Sequence, residues 1–244
     1  MNKPGWAVVG GSGMEALFPV KEDKRVRTEH GEVTVHVCST GKTEFYFLPR
    51  HGREHEIPPH LINHKANLRA LASLGVRGII ATSAVGAVST KIKVGGIGLL
   101  DQFIDMSARH LTFFEGSPVH ADMTNPYDRG LQEAMASAAS KERIPLSRGL
   151  TYVSVHGPRY ETAAEIRMFK LLGGDVVGMT GAPEAILSNE LSIKYGSIVV
   201  ATNKAAGLQT EVSHEEVLSV MASTAGRVTR LIRSTVDALG ADSL

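Results

Sequence analysis

The chain has 244 residues, of which 43% are hydrophobic and 21% are charged, as in an ordinary globular protein. Its formal net charge of +1 excludes a bulk attraction to nucleic acid or an anionic membrane, so local groups must bind any anion. We find no stretch apolar enough to span a bilayer and no signal peptide, and therefore expect a cytoplasmic protein. The single cysteine, Cys38, excludes an intramolecular disulfide and is expected to be a buried core thiol.

The first third of the chain is predicted to consist of strands and one helix. Residues 60–74 are predicted to be helical because apolar residues recur on one face and Gly75 follows them. Strands are predicted, in chain order, at residues 6–9, 33–37, 44–48 and 76–82.

Strands and helices alternate in the remainder. Strands are predicted at residues 97–104, 150–155, 175–179 and 197–202. Helices are predicted at residues 129–141, 162–172 and 183–195 and from residue 213 onward, with capping boxes at 162–165 and 213–216. This alternation predicts a single α/β domain over residues 1–244, with a mixed, largely parallel twisted sheet flanked by helices.

Glycine-rich or polar segments follow four of the predicted apolar strands. Ligands of such sheets bind beyond the carboxyl ends of the strands, so we expect the four segments to meet in one crevice. These segments are residues 10–13, 83–86, 179–181 and 202–207.

Residues 11–16 match the G-x-G-x-x-A pattern of dinucleotide-binding proteins. That fingerprint also requires an immediate helix and an acidic residue at the end of the second strand. Pro19 interrupts any helix, and the predicted strand 33–37 ends in Cys38-Ser-Thr. An NAD-binding oxidoreductase is therefore the less favoured class. The alternatives are a simple tight turn or a glycine turn that binds an anion together with the Ser12 hydroxyl.

Residues 50–55 carry four basic side chains around one glycine: Arg50, His51, Arg53 and His55. This segment is either a solvated charged loop or an anion site. The prolines on both sides stiffen the loop, and arginine presents forked donors that suit a phosphate. These features favour the anion site.

Further polar residues follow the other strands. Ser83 follows a buried strand and Thr180 precedes a helix N-terminus, positions that suit either an oxyanion or ordinary capping. Tyr160 lies beside Glu161, and its ring is predicted to stack on a flat base or simply to pack. Asn203 is predicted to hydrogen-bond a heterocycle or to cap a turn.

Seven motifs, in order over nearly the whole chain, resemble the 5′-methylthioadenosine / S-methyl-5′-thioinosine phosphorylase branch of the trimeric purine nucleoside phosphorylases. They are Gly10-Gly-Ser-Gly, Arg50-His-Gly-Arg-Glu-His, Asn63-His-Lys-Ala-Asn, Ser83-Ala-Val-Gly, Asp101-Gln-Phe-Ile-Asp, Gly157-Pro-Arg-Tyr-Glu-Thr and Met179-Thr-Gly-Ala-Pro-Glu-Ala. The resemblance implies the nucleoside phosphorylase fold and a pentosyltransferase that converts a 5′-methylthio purine nucleoside to purine and 5-methylthioribose 1-phosphate. It also implies a homotrimer or homohexamer. We expect no cofactor or metal beyond the co-substrate phosphate.

The resemblance also assigns roles to matching positions. Met179 would lie under the ribose and Tyr160 against the base, while His120 matches a residue that closes the sugar pocket of a neighbouring subunit. Arg53 and His55 would support the phosphate loop. The residues implied to hold phosphate are Ser12, Arg50, His51, Ser83, Ala84 and Thr180.

Three positions depart from the methylthioadenosine pattern. Asn203 and Ala205 replace two aspartates that suit a 6-amino base, and Asn203 with Glu161 resembles the 6-oxopurine pattern. His214 stands where the ordinary phosphorylases have a histidine that faces the 5′-hydroxyl. Glu161 and Asn203 are the predicted catalytic residues, and Ala205 and His214 are predicted nucleoside contacts. A broad inosine and guanosine phosphorylase therefore remains the alternative within the family, and a non-catalytic nucleoside-binding module remains outside it.

Overall fold

The computed structural model describes residues 4–14 and 17–240. Within these residues a nine-stranded sheet is flanked by five α-helices. The strands are β1 Trp6–Gly10, β2 Val20–Thr28, β3 Gly31–Ser39, β4 Glu44–Pro49, β5 Gly78–Ala87, β6 Ile97–Asp105, β7 Leu146–Ser154, β8 Val176–Gly178 and β9 Lys194–Lys204. The helices are α1 His64–Ser73, α2 Arg129–Lys141, α3 Ala163–Leu171, α4 Gly181–Glu190 and α5 His214–Leu239.

The sheet has the order β2-β3-β4-β1-β5-β8-β7-β6-β9. The pairs β1–β4, β1–β5, β5–β9, β6–β7 and β7–β8 are parallel, and the remaining pairs are antiparallel. The predicted mixed, largely parallel sheet flanked by helices is therefore confirmed. One feature was not predicted: β9 also pairs with β5, so five strands close into a ring.

The alternation of side chains along β1 shows why both faces of the sheet are covered. Ala7 and Val9 point into one core cluster, which receives apolar residues of α1 and α4. Trp6 and Val8 point into another, which receives apolar residues of α2 and α5. Successive side chains of a strand point to opposite faces, so a strand buried on both faces is continuously apolar.

The β5–β9 ladder contains one irregularity near its carboxyl end. Val85 pairs with Ala201, but the next residue, Gly86, pairs with Asn203. Thr202 is thus an extra residue in β9, which is the arrangement of a β-bulge. Bulges change the direction of the side chains that follow them, and this one lies directly before Asn203.

One strand was not predicted, and two predicted helices have different bounds. The unpredicted strand is β2, whose mostly charged sequence lacks the apolar alternation of a half-buried strand; it pairs antiparallel with β3 at the edge of the sheet. The helix predicted at 60–74 begins only at His64, after a 3-10 turn at Pro59–Leu61. The helix predicted at 183–195 ends at Glu190, and its last residues instead begin β9.

The N-caps of α3 and α5 lie where the sequence predicted these two helices to begin. Thr162 and Glu165 form a reciprocal capping box on α3. At α5 Ser213 accepts a hydrogen bond from the Glu216 amide, but the Glu216 carboxylate accepts from Gln209. Among the described helices, including the 26-residue α5, none combines enough length and apolarity to cross a bilayer.

Candidate active site

A cavity of about 260 Å³ lies where the strands β1, β5, β8 and β9 end. Each of the four predicted strand-end segments contributes to its wall. From these segments the lining residues are Gly11, Ser12, Ser83, Ala84, Val85, Gly86, Met179, Thr180, Thr202 and Asn203. The structure therefore brings together residues as far apart in the chain as Gly11 and Asn203, as the strand-end argument predicted.

Most of the predicted site residues line this cavity. Arg50, His51 and His55 enter it from one loop, Tyr160 and Glu161 from another, and His214 from the start of α5. Arg53 instead lines a separate cavity beside β2 and β3. Val217, one turn after His214 on α5, also lines the main cavity and was not predicted as a site residue.

Two predicted nucleoside contacts lie outside the cavity. Ala205 is fully buried in an apolar cluster with Val153, Phe169 and Val177, of which only Val177 lines the cavity. The backbone after Asn203 directs this side chain into the core, which sequence spacing alone did not reveal. His120 is exposed, in a stretch between β6 and α2 that contains neither strand nor helix.

One end of the cavity is rich in hydroxyl groups. The Ser83 hydroxyl is buried and has no hydrogen-bond partner among the described residues. Thr180 is the N-cap of α4, yet its side chain makes no capping hydrogen bond. Gly11 is required here, since an added Cβ would lie 2.6 Å from Arg50 Nη1 and 2.7 Å from the Thr82 carbonyl oxygen. Buried hydroxyls without a protein partner are suited to a polar ligand.

Arg50 is buried at this end and is already paired. Its Nε donates to Glu184 Oε1 at 2.6 Å and its Nη2 donates to Glu184 Oε2 at 2.7 Å. Its Nη1 donates to the Thr82 carbonyl at 2.6 Å. Burial alone would lower the pKa of Arg50, but the adjacent Glu184 carboxylate outweighs it and raises that pKa. The sequence analysis missed Glu184, because no local pattern links two residues 134 positions apart.

The first amides of α4 are also engaged. The Tyr152 hydroxyl oxygen accepts from the Thr180 amide at 3.1 Å and from the Gly181 amide at 3.2 Å. Of the two alternatives for this helix N-terminus, an oxyanion or ordinary capping, these two amides take the second. A buried tyrosine from β7 satisfies them instead.

Three imidazole rings lie side by side along the wall. His51 and His55 have ring centroids 4.6 Å apart, and His55 and His214 are 5.8 Å apart. His51 Nδ1 is 2.9 Å from the Ile57 carbonyl oxygen, so Nδ1 must carry the proton. Nε2 then accepts in the neutral ring and donates only in the imidazolium.

The cavity wall also carries an aromatic ring, a carboxyl group and an amide, those of Tyr160, Glu161 and Asn203. Burial, followed by the neighbouring Glu165, raises the pKa of Glu161. Burial likewise raises the pKa of Tyr160, which is half-buried. Asn203 Oδ1 accepts from the Thr202 hydroxyl at 2.9 Å, and its Nδ2 donates to the Lys204 carbonyl at 2.9 Å. Rotation of this amide would place two acceptors against each other, so the amide orientation is fixed and one Nδ2 proton is left for a ligand.

The glycine segment after β1 lacks the geometry of a dinucleotide fingerprint. Of residues 11–19, the described ones form a turn and bends rather than a helix, and residues 15 and 16 lie outside the described part. The Gly11 amide donates to the Thr82 hydroxyl at 3.0 Å instead of facing a ligand. The fingerprint needs a helix N-terminus at this point for the pyrophosphate.

Fold and cavity together are those of an α/β enzyme whose cavity, at the ends of the strands, is lined by hydroxyl, basic, aromatic, carboxyl and amide side chains. The chain belongs to the phosphorylase superfamily, whose family model matches residues 6–237.

Similar proteins agree with this class. The chain is 44% identical to the 6-oxopurine nucleoside phosphorylase of Pyrococcus furiosus, over 96% of this chain and 92% of the relative. It is 43% identical to a probable S-methyl-5′-thioinosine phosphorylase of Methanopyrus kandleri, over 82% of this chain and 79% of the relative. The solved methylthioadenosine phosphorylase of Schistosoma mansoni in complex with adenine superposes with a TM-score of 0.92 and 28% identity, covering 98% and 93% of the two chains.

The protein is thus a purine nucleoside phosphorylase-type pentosyltransferase that acts on purine nucleosides with phosphate.

Proposed function

We propose that this enzyme phosphorolyses 6-oxopurine nucleosides to the free base and ribose 1-phosphate. The observation that carries the proposal is the Glu161 carboxyl group beside Tyr160 in the cavity. A carboxylate accepts from N1–H of a 6-oxopurine, whereas N1 of adenine presents only a lone pair. A buried group matched to one edge rejects the other because polar atoms are left unpaired. The Pyrococcus furiosus and Methanopyrus kandleri relatives both have 6-oxopurine substrates by name.

Phosphate would occupy the hydroxyl-rich end. Ser12, Ser83 and Thr180 supply hydroxyl groups there, and Ala84 lies beside them. Arg50 uses three of its five N–H groups on the protein, so two remain for phosphate oxygens. His51 completes the set in the proposal, donating from Nε2 as the imidazolium or accepting from a protonated phosphate oxygen.

Catalysis in this proposal is electrostatic and positional. The bond between C1′ and N9 breaks early, and the phosphate dianion stabilises the oxocarbenium-like ribose before attacking its opposite face. Met179 would lie under the ribose. The remaining Nδ2 proton of Asn203 would donate to N7 as electrons move into the purine. The proposal requires no metal or cofactor other than the co-substrate phosphate.

A second candidate substrate class is the 5′-methylthio nucleosides, methylthioinosine or methylthioadenosine. The observation that favours it is Val217, which puts an apolar side chain on the cavity wall one turn from His214. His214 suits a 5′-hydroxyl, and Val217 suits a methylthio group. The Schistosoma mansoni structure is that of a methylthioadenosine phosphorylase, which supports the same candidate.

We also propose a homotrimer, alone or as two stacked trimers, in which His120 reaches the sugar end of a neighbour's cavity. His120 is exposed and does not line the cavity of its own chain. Mixing His120→Ala with Asn203→Ala subunits tests this idea. Recovery of activity in the hybrid is expected, because some cavities then receive both intact residues, and no recovery would contradict it.

A substrate panel with and without phosphate tests the proposed reaction. Inosine, guanosine, methylthioinosine, methylthioadenosine and adenosine are compared by released base. We expect strictly phosphate-dependent release, with the 6-oxo nucleosides ahead of the 6-amino ones. Base release without phosphate would contradict phosphorolysis, and a preference for adenosine would contradict the role of Glu161.

A further inference from the structure

A buried network lies behind the phosphate end of the cavity. Glu184, in the first turn of α4, is 1% exposed and receives both forked donors of Arg50. Its Oε2 also accepts from the Tyr195 hydroxyl at 2.9 Å. Tyr195 is itself 1% exposed, near the start of β9. None of the predicted phosphate or nucleoside contacts includes Glu184 or Tyr195, and neither residue lines the cavity.

The three hydrogen bonds of Arg50 fix its guanidinium in one plane. A free arginine side chain has many rotamers, and ordering it costs conformational free energy. Here the bidentate contact with Glu184 and the contact with the Thr82 carbonyl restrict that freedom before any ligand binds. The two remaining N–H directions are therefore set by the protein and not by phosphate.

The charges of the buried Arg50–Glu184 pair are a second reason to expect Glu184 to hold Arg50 in place. Burial alone would raise the pKa of Glu184, but the Arg50 guanidinium outweighs it and lowers that pKa, so the pair is ionised on both sides. Removing one member of such a buried pair leaves an uncompensated charge, which is strongly unfavourable. Without Glu184, Arg50 would leave its present position or recruit other partners.

We infer that Glu184 and Tyr195 are positioning residues that hold Arg50 ready for phosphate. The inference rests on the proposed phosphate role of Arg50. Glu184 orients the guanidinium, and the Tyr195 hydroxyl fixes the carboxylate oxygen that receives Nη2. Both act through Arg50 and not through the nucleoside, so they determine the affinity for phosphate without changing recognition of the base.

The chain offers a matched control. Tyr127 and Tyr195 are both 1% exposed, with ring centroids 5.8 Å apart. The Tyr127 hydroxyl has no hydrogen-bond partner among the described residues, whereas that of Tyr195 binds Glu184. Tyr195→Phe and Tyr127→Phe therefore each delete one buried hydroxyl from the same region, and only the first touches the Arg50 network.

The experiment measures kcat and the KM values for phosphate and nucleoside in both variants and in Glu184→Gln. We expect Tyr195→Phe to raise the phosphate KM about fivefold and Glu184→Gln to raise it about 30-fold or more, with the nucleoside KM within about twofold of wild type. Tyr127→Phe should change neither. Melting temperatures with and without inorganic phosphate should show reduced protection by phosphate in the first two variants.

Several results would overturn the inference. A lower phosphate KM in either network variant would mean that Glu184 weakens phosphate binding by its charge. An unchanged phosphate KM, or equal rises for both substrates, would assign the network a purely structural role. If Glu184→Gln does not fold, the phosphate KM of Tyr195→Phe alone tests the inference. Failure of the proposed function is distinguishable, because base release by the wild-type enzyme would then not depend on phosphate, whatever the network variants do.

Discussion

The stability of this protein should depend on the charge state of one buried histidine. His64 begins α1 and is 2% exposed, and neither of its ring nitrogens has a hydrogen-bond partner among the described residues. Burial lowers the pKa of His64 to about 4, opposed by Glu184 and aided by Arg50, Arg109 and His51. The ring is therefore neutral in the folded protein at pH 7.

The sign and size of the effect follow from linkage. The folded pKa lies below the unfolded value of 6.5, so the unfolded chain binds a proton that the folded chain rejects. The free energy of unfolding is therefore unaffected by protonation of His64 above pH 6.5. It decreases as the pH falls from 6.5 toward 4, because His64 is then protonated in the unfolded chain and still neutral in the folded one. For these two pKa values the loss between pH 7 and pH 5 is about 2 kcal/mol.

Urea unfolding at pH 7 and pH 5, at one protein concentration, measures this loss. We expect His64→Phe to be about 2 kcal/mol less sensitive to this pH change than wild type, and at least as stable at pH 7, because it removes an unpaired buried polar group. His110→Phe is the control, since His110 is exposed. Equal losses in wild type and His64→Phe would refute the assignment.

Three further predictions concern the cavity. Ser83→Ala should raise the phosphate KM about fivefold without lowering the melting temperature, because its hydroxyl has no partner among the described residues; an unchanged phosphate KM would exclude contact with phosphate. Asn203→Ala should lower kcat about 100-fold with little change in the phosphate KM, and equal changes in both would contradict a leaving-group role. Asn203→Asp should shift the ratio of released bases toward 6-aminopurines, and an unchanged base ratio would contradict our interpretation of this position. Ala205→Asp should only lower the melting temperature, because Ala205 lies in an apolar cluster outside the cavity.

The sequence was most informative where structure is determined locally. The bounds of α2 and the capping box at Thr162 were predicted correctly, because apolar spacing and cap residues act within a few positions. The convergence of four strand ends was also predicted, since parallel strands share an edge. The charged strand β2 was missed, because its pairing with β3 and not its composition makes it a strand.

At the site, the sequence did not reveal hydrogen-bond partners that lie far apart in the chain. Arg50 was predicted to hold phosphate, but nothing in the sequence indicated that its fork also binds Glu184. The amides at the start of α4 were expected to meet an oxyanion or an ordinary cap, and the partner they bind is Tyr152. In each case a buried polar group takes its partner from another element of the fold. Residue types and spacing identify such groups without showing which partner satisfies them.

The extra residue in β9 gives the protein an unusual sensitivity to deletion. Thr202 and Asn203 are consecutive, and the hydroxyl of the extra residue donates to Asn203 Oδ1 at 2.9 Å, so the bulge itself holds the amide of its neighbour. Deleting Thr202 would restore an uninterrupted ladder with β5 and remove the hydroxyl that fixes the Asn203 amide. We expect such a chain to keep its fold and to lose the fixed donor that the proposed reaction needs. A gap of one residue at this point in a homologous sequence therefore signals a changed activity more strongly than many substitutions elsewhere.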